Sequence, residues 1–260
     1  MSFTTYGVRI GLRVNDAAIL EKFVRRLPPG AKPSSVRVTD HLYSLSGFTD
    51  NANGGVRRFN LGYWNLTRFA RSRNLEQLLD DFESHVQLTV AEFAPRRVFV
   101  HAGVVGWKGR AILIPGMSFS GKTTLVTELI KAGATYYSDE YAVIDERGLV
   151  HAYPRPLGIR PPNSAQHVKV KAGAMGVVTG SKPLAVGTVV STKFKSGARW
   201  RPRELTRGKG VLELLANTVS ARSQPELALS VLPKALKSAT ILKGARGEAE
   251  QVVEAILGNE

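Results

Sequence analysis

One run of residues has the types and spacing of a chemical device: Gly116-Met117-Ser118-Phe119-Ser120-Gly121-Lys122-Thr123, with Thr124 behind it. The pattern is G-x-x-x-x-G-K-[ST], the loop that cradles nucleotide phosphates. Its glycines let backbone N–H groups converge on phosphate oxygens, and a helix beginning there turns its positive end toward them. In such a loop Lys122 reaches the β- and γ-phosphates of ATP, and the Thr123 hydroxyl helps hold Mg²⁺. Downstream, Asp139 and Glu140 close a short β-prone run, Ala134-Thr-Tyr-Tyr-Ser138. That is where a second acidic site belongs: one carboxylate for Mg²⁺, directly or through water, and one to accept the proton of an attacking hydroxyl. A surface turn between strands is the plain alternative for the pair.

These groups need a strand before the loop and a helix after it. Ala111-Ile-Leu-Ile114 supplies an apolar strand ending at Pro115. From Thr124, Leu125 and Leu129 stand four apart on one helix face, and Lys131-Ala132-Gly133 ends the helix with glycine past its last turn. Residues 97–114 read as two strands joined through Gly106-Trp-Lys-Gly109, so the loop's strand is entered from a hairpin. In the commonest phosphate-loop architecture a parallel strand follows a crossover helix instead. After Glu140, Tyr141 to Ile144 reads as a strand, Asp145-Glu-Arg-Gly148 as a turn, and Leu149 to Tyr153 as its return.

At this point a family resemblance emerges. His101-Ala-Gly103, the hairpin, Ser-Gly121-Lys122-Thr123, the helix ending Ala-Gly133, and Ser-Asp139-Glu140 resemble the catalytic domain of HPr kinase/phosphorylase, and more closely the HPr-kinase-related proteins. The corresponding family stretch runs His-Gly, hairpin, Gly-x-x-x-x-Gly-Lys-Ser, helix, Arg-Gly-His and Asp-Asp. The resemblance covers residues 98–160 well and the remainder loosely. It implies an α/β fold shared with phosphoenolpyruvate carboxykinase, a phosphate loop on a mixed, partly antiparallel sheet. It also implies that Asp139 stands at the general base, Glu140 near the metal, and His101 beside the phosphates. Departures are visible: Phe119 is large where the family residue is small, and Glu140 lengthens the metal arm. Arg155-Pro-Leu-Gly-Ile159 is similar to the family's Arg-Gly-Leu-Gly-Ile segment, but Pro156 replaces its glycine and no acid precedes the arginine. That departure weighs against carrying over the reverse reaction or the HPr substrate.

The rest of the chain reads as support. Residues 1–95 form an expected N-terminal α/β lobe, and 96–260 the kinase domain with C-terminal helices. In the lobe Val8, Ile10, Leu12 and Val14 alternate as a half-exposed strand, and Asn15 or Asp16 caps a helix carrying Ile19, Leu20, Phe23 and Leu27. Val36 and Val38 begin a further strand, residues 50–55 an exposed turn, and residues 58–66 a strand to pair with it. Asn74 caps a long helix whose buried stripe is Leu75, Leu78, Leu79, Phe82, Val86, Val90 and Phe93, stopped by Pro95. His41 and His85 lack clustered acids and read as packing or surface groups. Beyond the site, residues 161–183 read as a long mobile segment whose Lys169, Lys171 and Lys182 can meet an acidic partner or simply solvent. Val186 to Phe194 is a strand. Arg199, Arg201 and Arg203 can clamp phosphate or make surface ion pairs. Val211, Leu214, Leu215 and Val219 mark a helix, Pro225 opens another through Lys237, Ile241-Leu242 adds a strand, and Glu248 to Leu257 closes with a helix.

Composition sets the outer bounds. The 260 residues include no cysteine, which excludes disulfides, zinc-thiolate sites and thiol catalysis. No signal-peptide pattern opens the chain and no apolar run reaches membrane-spanning length, so a cytoplasmic protein is expected. The net charge of +15 draws polyanions or acidic proteins. The expected activity is transfer of the γ-phosphoryl of ATP to a hydroxyl, serine foremost, of a protein, peptide or small molecule. A nucleotide-dependent switch or NTPase, with water replacing the acceptor, is the alternative. A basic nucleic-acid-binding module is a third reading, although no helix-turn-helix, RNA-recognition or zinc pattern supports it. Self-association into a homo-oligomer is left open.

Overall fold

A computed structural model describes residues 1–48, 58–117, 120–159, 168–170 and 176–258. The turn expected at 50–55, Ser118, Phe119, Lys171 and most of 161–183 lie outside these residues. Contacts divide the chain into two compact units, Met1–Pro95 and Arg96–Glu260.

The first unit runs β1 (Ser2–Thr5), β2 (Val8–Val14), α1 (Ala17–Val24), β3 (Lys32–Ser34), β4 (His41–Ser46), β5 (Asn60–Trp64), β6 (Thr67–Ser72) and α2 (Leu75–Phe93). Its six-stranded sheet has the order β3-β1-β2-β4-β5-β6, antiparallel except where β2 lies parallel to β4. The caps are side chains: Asp16 accepts from the Ala18 N–H and Asn74 from the Glu76 N–H, satisfying N–H groups that a first helical turn leaves open. Phe82 of α2 meets Phe23 and Tyr43 edge-on, each with ring centroids 5.3 Å apart. The strand expected at Val36 and Val38 is absent. Both side chains are exposed, Val38 to 73%, and the strand begins at His41, where His41, Tyr43 and Leu45 alternate inward. That strand is the one β5 pairs with. His41 packs against Trp64 and Phe93, and His85 Nδ1 lies 2.8 Å from the Tyr43 hydroxyl. Both histidines are packing groups.

The second unit runs β7 (Arg97–Trp107), β8 (Arg110–Pro115), α3 (Lys122–Lys131), β9 (Thr135–Ser138), β10 (Tyr141–Asp145), β11 (Val150–His151), β12 (Leu157–Ile159), β13 (Val168–Val170), β14 (Ala185–Phe194), β15 (Arg203–Glu204), α4 (Arg207–Leu215), α5 (Pro225–Ala235), β16 (Thr240–Arg246) and α6 (Val253–Leu257). Its main sheet is mixed, in the order β11-β10-β7-β8-β14-β16-β15 with β9 also on β7. β7 and β8 form an antiparallel hairpin, whereas β14 is parallel to both β8 and β16. Lys108 and Gly109, at φ of 46° and 80°, make the two-residue turn whose twist suits a hairpin. Ile112 and Ile114 of β8 face a cluster with α3 and α6, while Ala111 and Leu113 face one with α4 and α5. A strand buried on both faces needs an unbroken apolar run, and Ala111 to Ile114 is that run.

Three elements differ from the sequence reading. The segment 161–183 is not wholly a loop, since β13 pairs antiparallel with β12. The helix carrying Val211 stops at Leu215, so Val219 falls in a separate 3-10 turn. The closing helix is short: a 3-10 turn at Glu250–Val252 precedes α6. At the β10–β11 turn Gly148 sits at φ +83°, and an added Cβ would lie 2.7 Å from Ala235 N and 2.8 Å from Lys234 C. Gly148→Ala combines a left-handed backbone with overlap on backbone atoms that cannot step aside. We expect it to cost about 3 kcal/mol or more, read as a lowered midpoint in urea unfolding.

Candidate active site

The loop between β8 and α3 is anchored at both ends. The Gly116 N–H donates to His101 O at 3.1 Å, continuing the β7–β8 ladder past Pro115. At the far end Gly121 adopts φ 83°, ψ 17° and caps α3 without a side chain. That left-handed conformation is open to glycine at little cost, and it turns the chain directly into the helix. α3 opens at Lys122, two residues before the apolar periodicity suggested. Met117 is exposed, its carbonyl accepting from the Ser120 N–H at 3.3 Å. Ser120 Oγ is buried with no hydrogen-bond partner among the described residues. Thr124 is exposed on the first turn of α3.

Lys122 bends back over its own loop. Its Nζ donates to Gly116 O at 2.7 Å and Met117 O at 2.8 Å. Burial holds its pKa below the ordinary lysine value, while the charges of Glu140 and Asp139 oppose that shift. The lysine and the acidic pair therefore share one electrostatic environment. Thr123 makes the direct link, with Oγ1 3.4 Å from Asp139 Oδ2.

Asp139 and Glu140 occupy the bend between β9 and β10. The pair is thus a turn, but not a plain surface one, because Asp139 is only 9% exposed. Ser138 builds the bend: its Oγ accepts from the N–H groups of Glu140 and Tyr141 at 3.1 and 3.0 Å. The Tyr136 hydroxyl lies 3.0 Å from Asp139 Oδ1 and 2.9 Å from Arg155 O. Burial first, and then the charge of Asp139, push the Tyr136 pKa far up, so the phenol keeps its proton and remains a donor. With Asp139 ionised, that proton points at the carboxylate. With Asp139 protonated, the acid can donate to the phenol oxygen while the phenol turns to Arg155 O. Either state of Asp139 is hydrogen-bonded.

Glu140 lies 3.9 Å from His101 Nδ1 and 3.9 Å from Nη1 of the Arg155 guanidinium. His101 lies against Tyr141, with ring centroids 4.7 Å apart. Burial, then the Lys122 charge, hold the His101 pKa below its ordinary value.

Lys122, Thr123, Asp139, Glu140 and His101 therefore converge, along with Gly116, Met117, Ser120 and Gly121 of the loop. Arg199, Arg201 and Arg203 are exposed; Arg203 lies on the edge strand β15, and its charge acts on Glu213. Tyr136 and Arg246 escaped sequence reasoning, and Arg155 entered it through one segment only. Tyr136 looked like a β-prone aromatic, and only the spacing of three before Asp139 hinted at its contact. Arg155 was visible only through the family resemblance. Arg246, whose Nη2 donates to Gly121 O at 2.9 Å, had no local signal.

The second unit is an α/β domain on a mixed parallel and antiparallel sheet, with a glycine turn leading from a buried strand into a helix. No protein-family model and no curated protein matches the chain. Among solved structures, the HPr(Ser) kinase/phosphatase from Coxiella burnetii is distantly similar: 14% identity, 62% of this chain and 94% of that chain covered, TM-score 0.36.

Proposed function

We propose that the protein is an ATP-dependent phosphotransferase that moves the γ-phosphoryl group to a hydroxyl, with serine as the foremost acceptor. The observation carrying this reading is the approach of Thr123 Oγ1 to Asp139 Oδ2, which joins the start of the loop helix to the acidic bend. The buried Ser120 hydroxyl, without a partner among the described residues, is a further group that a phosphate oxygen would satisfy.

Lys122 exchanges its two loop carbonyls for phosphate oxygens and balances their charge. Asp139 takes the proton of the acceptor hydroxyl as that oxygen bonds to the γ-phosphorus. The bond from phosphorus to the bridging oxygen then breaks and ADP leaves. Hydroxyl and carboxylate oxygens suit Mg²⁺, and Thr123 and Glu140 would hold it, with phosphate and water completing its shell. Bound there, the ion would offset charge on the transferring group. Tyr136 keeps Asp139 oriented before and after the proton moves. Tyr136→Phe is expected to lower kcat about 10-fold with little change in KM for ATP, measured by steady-state ADP release. The net charge of +15 favours an acidic acceptor.

Acidity tests the histidine. The unfolded chain titrates His101 near its ordinary value of about 6.5, and the folded protein below it. The folded state therefore loses stability as pH falls through that range. A polyphosphate beside the ring reverses the local field and draws a proton in. ATP affinity is expected to tighten between about pH 7.5 and 6 relative to His101→Gln, read by calorimetry in buffers of different ionisation enthalpy.

The reading itself is tested by incubating the protein with ATP, Mg²⁺ and serine peptides or small alcohols, following ADP and phosphorylated product by mass spectrometry. Absence of ATP binding would end it. ADP and inorganic phosphate without a phosphorylated acceptor would replace it with nucleotide hydrolysis.

A further inference from the structure

Arg246 ends β16 and is 2% exposed. Its Nη2 donates to Gly121 O and its Nη1 to Gly247 O, both at 2.9 Å. Its Nε is buried with no partner among the described residues. The guanidinium thus meets carbonyls and the Phe194 ring, 5.8 Å away, but no carboxylate closes an ion pair with it among the described residues. Glu248 is the one acid whose charge raises its pKa, against a larger lowering by burial.

The location makes the missing partner informative. A buried cation without a counter-ion costs several kcal/mol (order of magnitude), and the N-terminal end of a helix is the less favourable end for positive charge. Arg246 nevertheless reaches the N-cap of the ten-residue helix α3. β8, β14 and β16 run parallel, so Pro115, Phe194 and Arg246 lie at the carboxyl ends of neighbouring strands, the edge where open α/β sheets bind ligands. The Gly121 carbonyl already accepts the Leu125 N–H at 3.2 Å, so the arginine is not needed to satisfy it. A cation there is offset by an anion chain lying at the loop.

We propose that Arg246 is the buried cation of a polyphosphate site at the start of α3, holding Gly121 in place and supplying positive charge from behind the loop. The inference rests on the nucleotide reading above but assigns a residue outside its motif. Arg246 is a positioning residue, acting through Gly121 and through its field.

The test compares Arg246→Lys, which keeps the charge, with Arg246→Gln, which keeps a hydrogen-bond donor without it. Inorganic tripolyphosphate and ATP are the probes, titrated calorimetrically at several salt concentrations, with the unliganded melting temperature of each protein measured alongside. Arg246→Gln is expected to bind both probes about 10-fold or more weakly, with a shallower salt dependence, and Arg246→Lys to stay within about three-fold of the native protein. A merely structural arginine would give Gln and Lys equal losses and leave the salt dependence unchanged. That result, or tripolyphosphate binding by Arg246→Gln within about two-fold of native, overturns the proposal while ATP binding by the native protein leaves the kinase reading standing. Native protein that binds neither probe overturns both.

Discussion

Asp139→Asn is expected to transfer phosphoryl groups about 10³-fold more slowly than the native protein while holding ATP almost as tightly. The substitution keeps the side chain's shape: the amide oxygen can still accept from Tyr136, 3.0 Å from Asp139 Oδ1, while the amide nitrogen replaces Oδ2 and can donate to the Thr123 hydroxyl, 3.4 Å away. What disappears is a group able to take a proton. The separation is diagnostic: a carboxylate that only braced the β9–β10 bend would change stability and leave turnover per folded molecule intact. Single-turnover measurement of phosphorylated acceptor, set beside calorimetric ATP binding, distinguishes the two. Equal rates for the variant and the native protein would remove Asp139 from the chemistry.

Lys122→Met is expected to lower kcat about 10²-fold or more and to weaken ATP binding as well. The ammonium is the cation closest in sequence to the loop glycines, and its two carbonyl contacts, 2.7 and 2.8 Å, are to neutral acceptors. Trading these for phosphate oxygens gives stronger, charge-assisted hydrogen bonds. Losing the two contacts to Gly116 and Met117 should cost about 3 kcal/mol of folding stability, offset in part because no ammonium is then held out of water, and the unfolding midpoint of the variant shows whether it stays folded for the comparison. Urea unfolding of the free variant alongside its kinetics checks both halves of the expectation.

The groups legible in the sequence were those whose physics is local. A glycine pattern fixes a loop, an apolar run between Ala111 and Ile114 fixes a strand buried on both faces, and the stripe through Leu78, Phe82 and Val86 fixes α2. Local signals misled where burial decided the matter. Val36 and Val38 alternate like a strand but stand in solvent, whereas His41, Tyr43 and Leu45 form one through aromatic packing that no hydropathy pattern announces. Val219 continued an apparent helical period across Asn217 and Thr218, where the chain instead turns to bring Asn217 O to the His101 N–H at 2.8 Å. The parallel pairing of β8 with β14 was illegible for a different reason: register between distant strands is written in neither of them alone. Arg246 belongs to the same class, because its partner is a glycine carbonyl that any residue could have met.

That last contact carries a consequence for synthesis. Gly121 and Arg246 are 125 residues apart in sequence, and a ribosome covers that interval in on the order of ten seconds. Throughout that wait the nascent segment has its glycines and lysine but not the arginine behind them. Under the proposed nucleotide reading, free ATP would find no finished cradle on the emerging polypeptide and would reward only chains in which the distal strand has docked, favouring late, whole-domain closure over early local capture.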